Sequence, residues 1–265
     1  MSGAEQITAT QREAVIKVSG LENRFGQHVV HQNLDLNVWR GEVLGVVGGS
    51  GTGKSVLLRS IVGLQRPSRG DIHVLGADVL HGSTEEIDAV EKRWGVAFQN
   101  GALFSSLTVL ENVMVPMREH LSISVGLMRE LAELKISLVG LPRNSCAKLP
   151  SELSGGMVKR AALARALALD PEIVFLDEPT AGLDPIGAAK YDELIHELQT
   201  SLGLTVFMVT HDLDSLYAIC DRVAVLADKR VLAQGPIASM LDVKDEWVQE
   251  YFTGPRARAA QSKNF

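Results

Sequence analysis

The sequence predicts an α/β fold built on a nucleotide-binding parallel sheet, with an antiparallel β lobe beside it and a helical insertion at about residues 100–160. Three observations carry that expectation. Gly48-Gly49-Ser50-Gly51-Thr52-Gly53-Lys54-Ser55 satisfies GxxxxGK[ST] directly behind the apolar run 43–47, the order strand, phosphate loop, helix. Strand and helix patterns alternate from residue 40 onward. A second apolar run, 173–176, ends in Asp177-Glu178, which sets two carboxylates at the C-terminal tip of a strand, where ligands gather in parallel sheets.

Taken in order, Val15, Ile16 and Val18, then Leu34, Leu36 and Val38, alternate with polar residues and predict short strands of the antiparallel lobe. Residues 43–47 form the strand that feeds the phosphate loop, and 56–62 the helix behind it. Ile72, Val74, Val96 and Phe98 continue the β pattern. Helical character then runs from 108 to 141, and Thr108 followed by Glu111 is a capping box that starts it directly after the loop 99–107. A second helical region opens at Ser154 and continues to 168, where Asp170-Pro171 forbids continuation. Asp184-Pro185 supplies an N-cap and a first-turn proline, and Tyr191, Leu194, Ile195 and Leu198 give one core-facing stripe that ends near Gly203. Residues 204–209 and 223–226 read as two more buried strands, and 245–252 as a short terminal helix. There is no internal repeat or low-complexity segment.

At 265 residues and 46% hydrophobic content, the chain can bury one substantial core with a smaller satellite lobe. No apolar run approaches the ~18 residues that cross a bilayer, and the polar start 1–12 lacks the apolar core of a signal peptide. A cytoplasmic protein is expected, with any membrane role supplied through a partner. Cys146 and Cys220 have neither CxxC nor Cys/His ligand spacing and read as buried or idle thiols. The formal charge of −6, from 26 basic and 32 acidic residues, argues against a broad nucleic-acid surface. Arg256, Arg258 and Lys263 make the last dozen residues basic, as in a solvated tail.

The chemistry follows from residue type. Glycines let successive backbone N–H groups turn onto phosphate oxygens, Lys54 adds charge near the β and γ phosphates, and the Ser55 hydroxyl can ligate Mg²⁺. Asp177 would hold Mg²⁺ through its water shell, and Glu178 would polarise the attacking water as general base. Ser154-Gly155-Gly156-Met157 opens a helix whose free N–H groups and positive dipole end make a second anion site, or an ordinary serine cap. One chain with two such helix starts exceeds what one ATP per subunit needs. A head-to-tail pair of subunits resolves the excess.

With those motifs in place the chain resembles, over nearly its whole length, the nucleotide-binding subunits of ABC transporters. The match lies at the phosphate loop, at Gln99 for the Q-loop, at residues 153–157 for the signature, at Asp177 and Glu178, at Ala181-Gly182-Leu183-Asp184 for the D-loop, and at His211 for the H-loop. The resemblance implies ATP and Mg²⁺ as ligands, with ATP sandwiched between one subunit's residues 48–56, ending at Val56, and the other's Ser154, Gly155 and Gly156. It implies that Gln99 senses Mg²⁺ and the water, and that His211 contacts the γ-phosphate. It places Phe25 where an aromatic ring stacks on adenine, a core phenylalanine being the rival reading. His28 and His31 have no such context and read as ordinary surface histidines. Met157 replaces the common glutamine, and a thioether cannot replace an amide donor.

Within that family, residues 99–104 with their GALF segment, Asn112-Val113, residues 116–120 and the Met-containing signature 153–160 are similar to the ATPases of Mla and related MCE-type lipid transport systems. The extra glutamate-glycine loop of exporters is absent at 146–152. The resemblance implies a homodimer on the cytoplasmic face of the inner membrane, bound to an integral membrane permease, a periplasmic MCE lipid-binding protein and a small STAS-domain protein. The cargo would be phospholipid moving between inner and outer membranes. Ala102, Leu103 and Phe104 would line the groove for the permease's coupling helix, or pack as satellite core under a loop. The expected division is an ATPase domain at 1–245 and a C-terminal extension at 246–265, whose Trp247, Val248, Tyr251 and Phe252 form an apolar face that could dock on the neighbouring subunit. A polar-solute importer and a soluble, non-transport ABC ATPase share the catalytic motifs and stay as alternatives.

Overall fold

The computed structural model describes residues 13–254 together with Ala257 and Ala260. Strands β1 (Ala14–Phe25) and β2 (His28–Trp39) form an antiparallel hairpin in which Ile16 faces Val38, Val18 faces Leu36 and Leu21 faces Leu34. All six side chains are buried, so the apolar alternation fixes the register. β3 (Val43–Gly48) leads into α1 (Lys54–Ile61), and β4 (Arg69–Val74) and β5 (Ala77–Asp78) return to the hairpin. The lobe is a four-stranded sheet in the order β2-β1-β4-β5.

α2 (Thr84–Glu91) and β6 (Trp94–Ala97) come next, then α3 (Val109–His120), α4 (Val125–Leu138) and α5 (Gly155–Ala166), which make the helical insertion. After β7 (Ile173–Asp177), α6 (Pro185–Leu202), β8 (Thr205–Val209), α7 (Leu213–Ile219), β9 (Arg222–Ala227), β10 (Arg230–Gly235), α8 (Ile237–Met240) and α9 (Glu246–Thr253) complete the described chain. The central six-stranded sheet runs β10-β9-β3-β8-β7-β6, parallel except for the antiparallel edge strand β10.

Alternation through the central strands sorts their side chains between two cores. Ile173 and Phe175 of β7, with Phe207 and Val209 of β8, face α1 and the β lobe. Val174 and Leu176, with Val206 and Met208, face the helical insertion and α6. Strands covered on both faces read as continuous apolar runs, which is why 173–176 and 204–209 are legible without alternation. Gly95 of β6 lets the end of α5 lie against the sheet, because a Cβ there would overlap the carbonyl of Ala166. The parallel strands all end on one side, and β3, β6, β7 and β8 run directly into the phosphate loop, Gln99, Glu178 and His211.

Three sequence expectations are corrected. The helical stretch 108–141 is two helices, because the chain turns extended at Leu121 and the Ser124 hydroxyl caps a fresh start by accepting from the Leu127 N–H. Phe98 falls just beyond β6, which ends at Ala97; Val96 is in that strand and pairs with Phe175 in the parallel sheet, and Ile72 and Val74 lie in the antiparallel lobe. The apolar face of 246–253 is occupied by its own chain: Val248 and Phe252 are fully buried against Val47, Leu216, Val223, Val225 and Met240, with Trp247 and Tyr251 packed beside them. No contact with a neighbouring subunit is needed to cover it. The basic residues Arg256, Arg258 and Lys263 lie outside the described residues.

Candidate functional site

The phosphate loop is shaped by backbone that only glycine adopts freely. Gly51 and Gly53 have φ values of 80° and 94°, and α1 begins at Lys54 with no acidic residue in its first turn and no side-chain cap. The first N–H groups of α1 therefore remain free for an anion, at the positive end of the helix dipole. Lys54 Nζ donates to the carbonyls of Gly48 at 2.8 Å and Gly49 at 3.1 Å, and Thr52 Oγ1 donates to the Gly49 carbonyl at 2.9 Å. Burial lowers the Lys54 pKa, while the Glu178 and Asp177 carboxylates push it back up. Ser50 and Gly51 at the tip are exposed, and Val56 lies half-buried in the first turn of α1.

The carboxylates meet this loop from β7. Ser55 Oγ donates to Asp177 Oδ1 at 3.1 Å. Asp177 is buried, which raises its pKa; the Ser55 hydrogen bond opposes the rise and Glu178 adds to it. A hydroxyl and a carboxylate side by side beside a phosphate-binding loop suit Mg²⁺, a hard cation that takes one or two protein oxygens and keeps much of its water. Glu178 lies just beyond β7 with φ 50°, and its N–H donates to the Val209 carbonyl at 2.8 Å. Its Oε2 lies 2.8 Å from His211 Nδ1, with the imidazole 68% exposed and the carboxylate 14% exposed. Phosphate loop, Asp177, Glu178 and His211 thus form one cluster, built from loops at the ends of β3, β7 and β8.

The remaining sequence candidates stand around that cluster. Gln99 follows β6 with its side chain exposed. Phe25, at the end of β1, is 46% exposed, so the core reading fails and the ring is free to stack. Ser154 caps α5 by accepting from the Met157 N–H at 3.3 Å, and both Ser154 and Gly155 are exposed, with Gly156 beside Leu183. Among the described residues, no hydrogen bond joins this segment to the phosphate loop. Of the GALF segment, Ala102 and Phe104 are exposed and Leu103 packs on the core of the helical insertion.

Three residues near the site escape sequence reasoning. His31 is buried, not superficial, and lies under the phosphate loop, where a Cβ on Gly53 would strike its Nε2. Tyr251 of α9 donates to the His211 carbonyl at 3.1 Å and stacks on Trp247, and both rings line a cavity of about 950 Å³ shared with Glu178, His211 and Asp212. Lys159 of α5 donates to backbone of both the Gln99 and Glu178 segments. A tyrosine, a lysine or a histidine on an amphipathic element carries no signal of this kind until the fold brings distant segments together.

Comparison with known proteins gives a consistent result. The family model described as ABC transporter matches residues 31–181. The chain is 40% identical over 240 residues, covering 91% of it and 90% of the relative, to the intermembrane phospholipid transport system ATP-binding protein MlaF of Haemophilus influenzae. It is 39% identical over 241 residues, 91% of it and 67% of the relative, to a probable ribonucleotide transport ATP-binding protein, mkl, of Mycobacterium tuberculosis. Among solved structures, the dimeric post-hydrolysis state of the ATP-binding cassette MJ0796 bound to ADP and Pi superposes with a TM-score of 0.76 at 29% identity, covering 83% of this chain and 98% of that one.

Proposed function

The chain belongs to the ABC transporter family, and from that premise we propose that it is the ATP-hydrolysing subunit of a system that moves phospholipid between the inner and outer membranes and maintains outer-membrane lipid asymmetry. The observation that carries the enzymatic part is the single cluster of phosphate loop, Ser55, Asp177, Glu178 and His211 at the strand ends. The 40% identity to a phospholipid-system ATPase supports the cargo.

In this reading the N–H groups of residues 48–56 and the Lys54 ammonium hold the β and γ phosphates, and Phe25 stacks on adenine. Ser55 and Asp177 hold Mg²⁺ together with Gln99; when bound, the ion supplies positive charge that offsets the charge spread over the phosphoryl oxygens. Glu178 orients a water and accepts its proton as the new P–O bond forms and the bond from the γ phosphorus to the β–γ bridging oxygen breaks, leaving ADP and inorganic phosphate. His211 holds the Glu178 carboxylate through its Nδ1 and presents the other edge of its ring to the γ-phosphate. Ser154, Gly155 and Gly156 close the site from a second copy of the chain, consistent with the exposure of Ser154 and Gly155 and with the dimeric cassette it resembles. Most of the rate comes from positioning and charge stabilisation, and closure of the dimer drives the partner.

The exposed Ala102 and Phe104, with Leu103 beneath, receive a helix of an integral membrane permease, which brings the ATPase to the cytoplasmic face of the inner membrane. No helix among the described residues is long and apolar enough to cross a membrane. A periplasmic MCE lipid-binding protein and a small STAS-domain protein complete the assembly.

Glu178→Gln is expected to keep ATP binding and to lower turnover by roughly 10² to 10⁴, the usual weight of a general base. Wild-type hydrolysis by that variant would remove Glu178 from the role. One observation favours a second cargo, since the mycobacterial relative is named for ribonucleotide transport. Lipid analysis of the complex purified with its permease decides between them: bound phospholipid supports the first reading, and its absence beside a bound polar solute supports the second.

A further inference from the structure

We propose that Lys159 is a positioning residue for hydrolysis, whose buried side chain ties the loop carrying Gln99 to the strand end carrying Glu178 and so sets the catalytic carboxylate from the helical insertion. The inference rests on the reading of Glu178 as general base. Lys159 lies in the second turn of α5 and is 8% exposed. Its Nζ donates to the Gln99 carbonyl at 3.0 Å and to the Glu178 carbonyl at 2.9 Å. Both acceptors are main-chain oxygens, so the lysine holds two backbone segments and leaves the Glu178 carboxylate free for chemistry.

The Glu178 backbone needs such holding. A φ of 50° at a non-glycine residue is a strained conformation that persists only where its surroundings fix it. Its N–H is anchored to Val209 on the sheet side, and its carbonyl is anchored to Lys159 on the helix side, with a longer contact from the Ala181 N–H at 3.3 Å. An ammonium in this position is otherwise badly placed: burial lowers its pKa, and the nearby Glu178 and Asp177 carboxylates restore part of the loss. A buried cation that keeps its place by donating to two active-site loops is a structural commitment to their relative position.

A second cation of the same helix marks the contrast. Arg165 donates to the carbonyls of Ala102 at 2.7 Å and Gly101 at 2.9 Å, which fastens the Gln99 loop to α5 without reaching β7. Lys159 adds the link to Glu178. Because Ser154 caps α5, a load applied to that helix start reaches the Glu178 backbone of the same chain through one side chain.

The test is steady-state ATPase of the full-length protein, with kcat and KM for ATP read separately and ATP-induced thermal stabilisation measured alongside. Lys159→Met is expected to lower kcat at least about tenfold while KM for ATP stays within about threefold and stabilisation by ATP is retained. Lys159→Arg, which keeps a charged donor, is expected to recover turnover to within about threefold of wild type. In a Glu178→Gln background, Lys159→Met is expected to cost less than about twofold more, since it acts through that residue. Wild-type turnover by Lys159→Met, a loss confined to KM, or a full further loss in the Glu178→Gln background would each overturn the inference. Should Lys159→Met fail to fold, Lys159→Leu, which also removes the donor, carries the same comparison. Full turnover by Glu178→Gln overturns the general-base reading; full turnover by Lys159→Met beside a crippled Glu178→Gln overturns only the role of Lys159.

Discussion

His31 Nδ1 lies 2.9 Å from Asn23 Oδ1, and Asn23 in turn donates to Ser60 Oγ at 2.9 Å, which donates to the Val56 carbonyl. This buried chain joins the β lobe to α1 directly below the phosphate loop. His31 Nε2 is left without a partner, and burial pushes the imidazole pKa down to about 4 although the Thr52 backbone opposes the fall. Between the ordinary value of 6.5 and about 4 the unfolded chain binds the proton that the folded chain refuses. The stability contributed by neutral His31 is therefore complete above pH 6.5 and is lost as pH falls toward about 4, by up to about 3 kcal/mol. Asp192 has the opposite slope, because burial raises its pKa to about 7 and its cost grows as pH climbs to that value. His31→Gln cannot ionise and is expected to flatten the fall of Tm between pH 7 and 5 relative to wild type. Parallel Tm profiles for the two proteins would show that His31 titrates normally. The sequence offers no hint of this burial, since a histidine in His28-Val29-Val30-His31-Gln32-Asn33 looks the same on a surface.

α9 presents the clearest separation between what an element's pattern says and where the element goes. Its apolar face, Trp247, Val248, Tyr251 and Phe252, is legible from spacing, but its destination depends on whether β9, α7 and β3 leave a matching hollow, and a helical pattern carries no such information. Phe252→Ala is expected to cost about 3 kcal/mol of the isolated subunit's stability, by cavity formation in its own core. If denaturant melts show the subunit unchanged and only subunit association weakened, the face belongs to a neighbour after all. Elements with two independent signals were the legible ones: α6 has Asp184 accepting from Ile186 and Gly187 N–H groups, Pro185 in its first turn and Gly203 at φ 66° at its end. α2 also carries a full capping box from Ser83 to Glu86, yet its one buried residue, Val90, leaves no stripe to accompany it. β10 is an edge strand of half-exposed residues, and α7 is two turns long, so neither builds a periodic signal.

Across the whole molecule, one sheet divides the labour. Its α1 face bears the β lobe with the exposed Phe25, its other face bears the helical insertion with the exposed Ser154 and Gly155, and the strand ends between them hold Lys54, Asp177, Glu178 and His211. These residues of the candidate site are legible in the sequence because each is tied to a strand end and a local motif. Lys159 and Tyr251 are not, because each joins segments far apart in the chain, and neither is His31, because only the fold sets it under Gly53 of the phosphate loop. In the proposed head-to-tail pair, the helix start at Lys54 of one copy and that at Ser154 of the other meet on one nucleotide. The direct test is the mass of the Glu178→Gln chain in solution by sedimentation, with and without ATP and Mg²⁺. A shift from monomer to dimer on adding both is the predicted result. A chain that stays monomeric under those conditions while the wild-type monomer hydrolyses ATP at full rate would contradict the composite site.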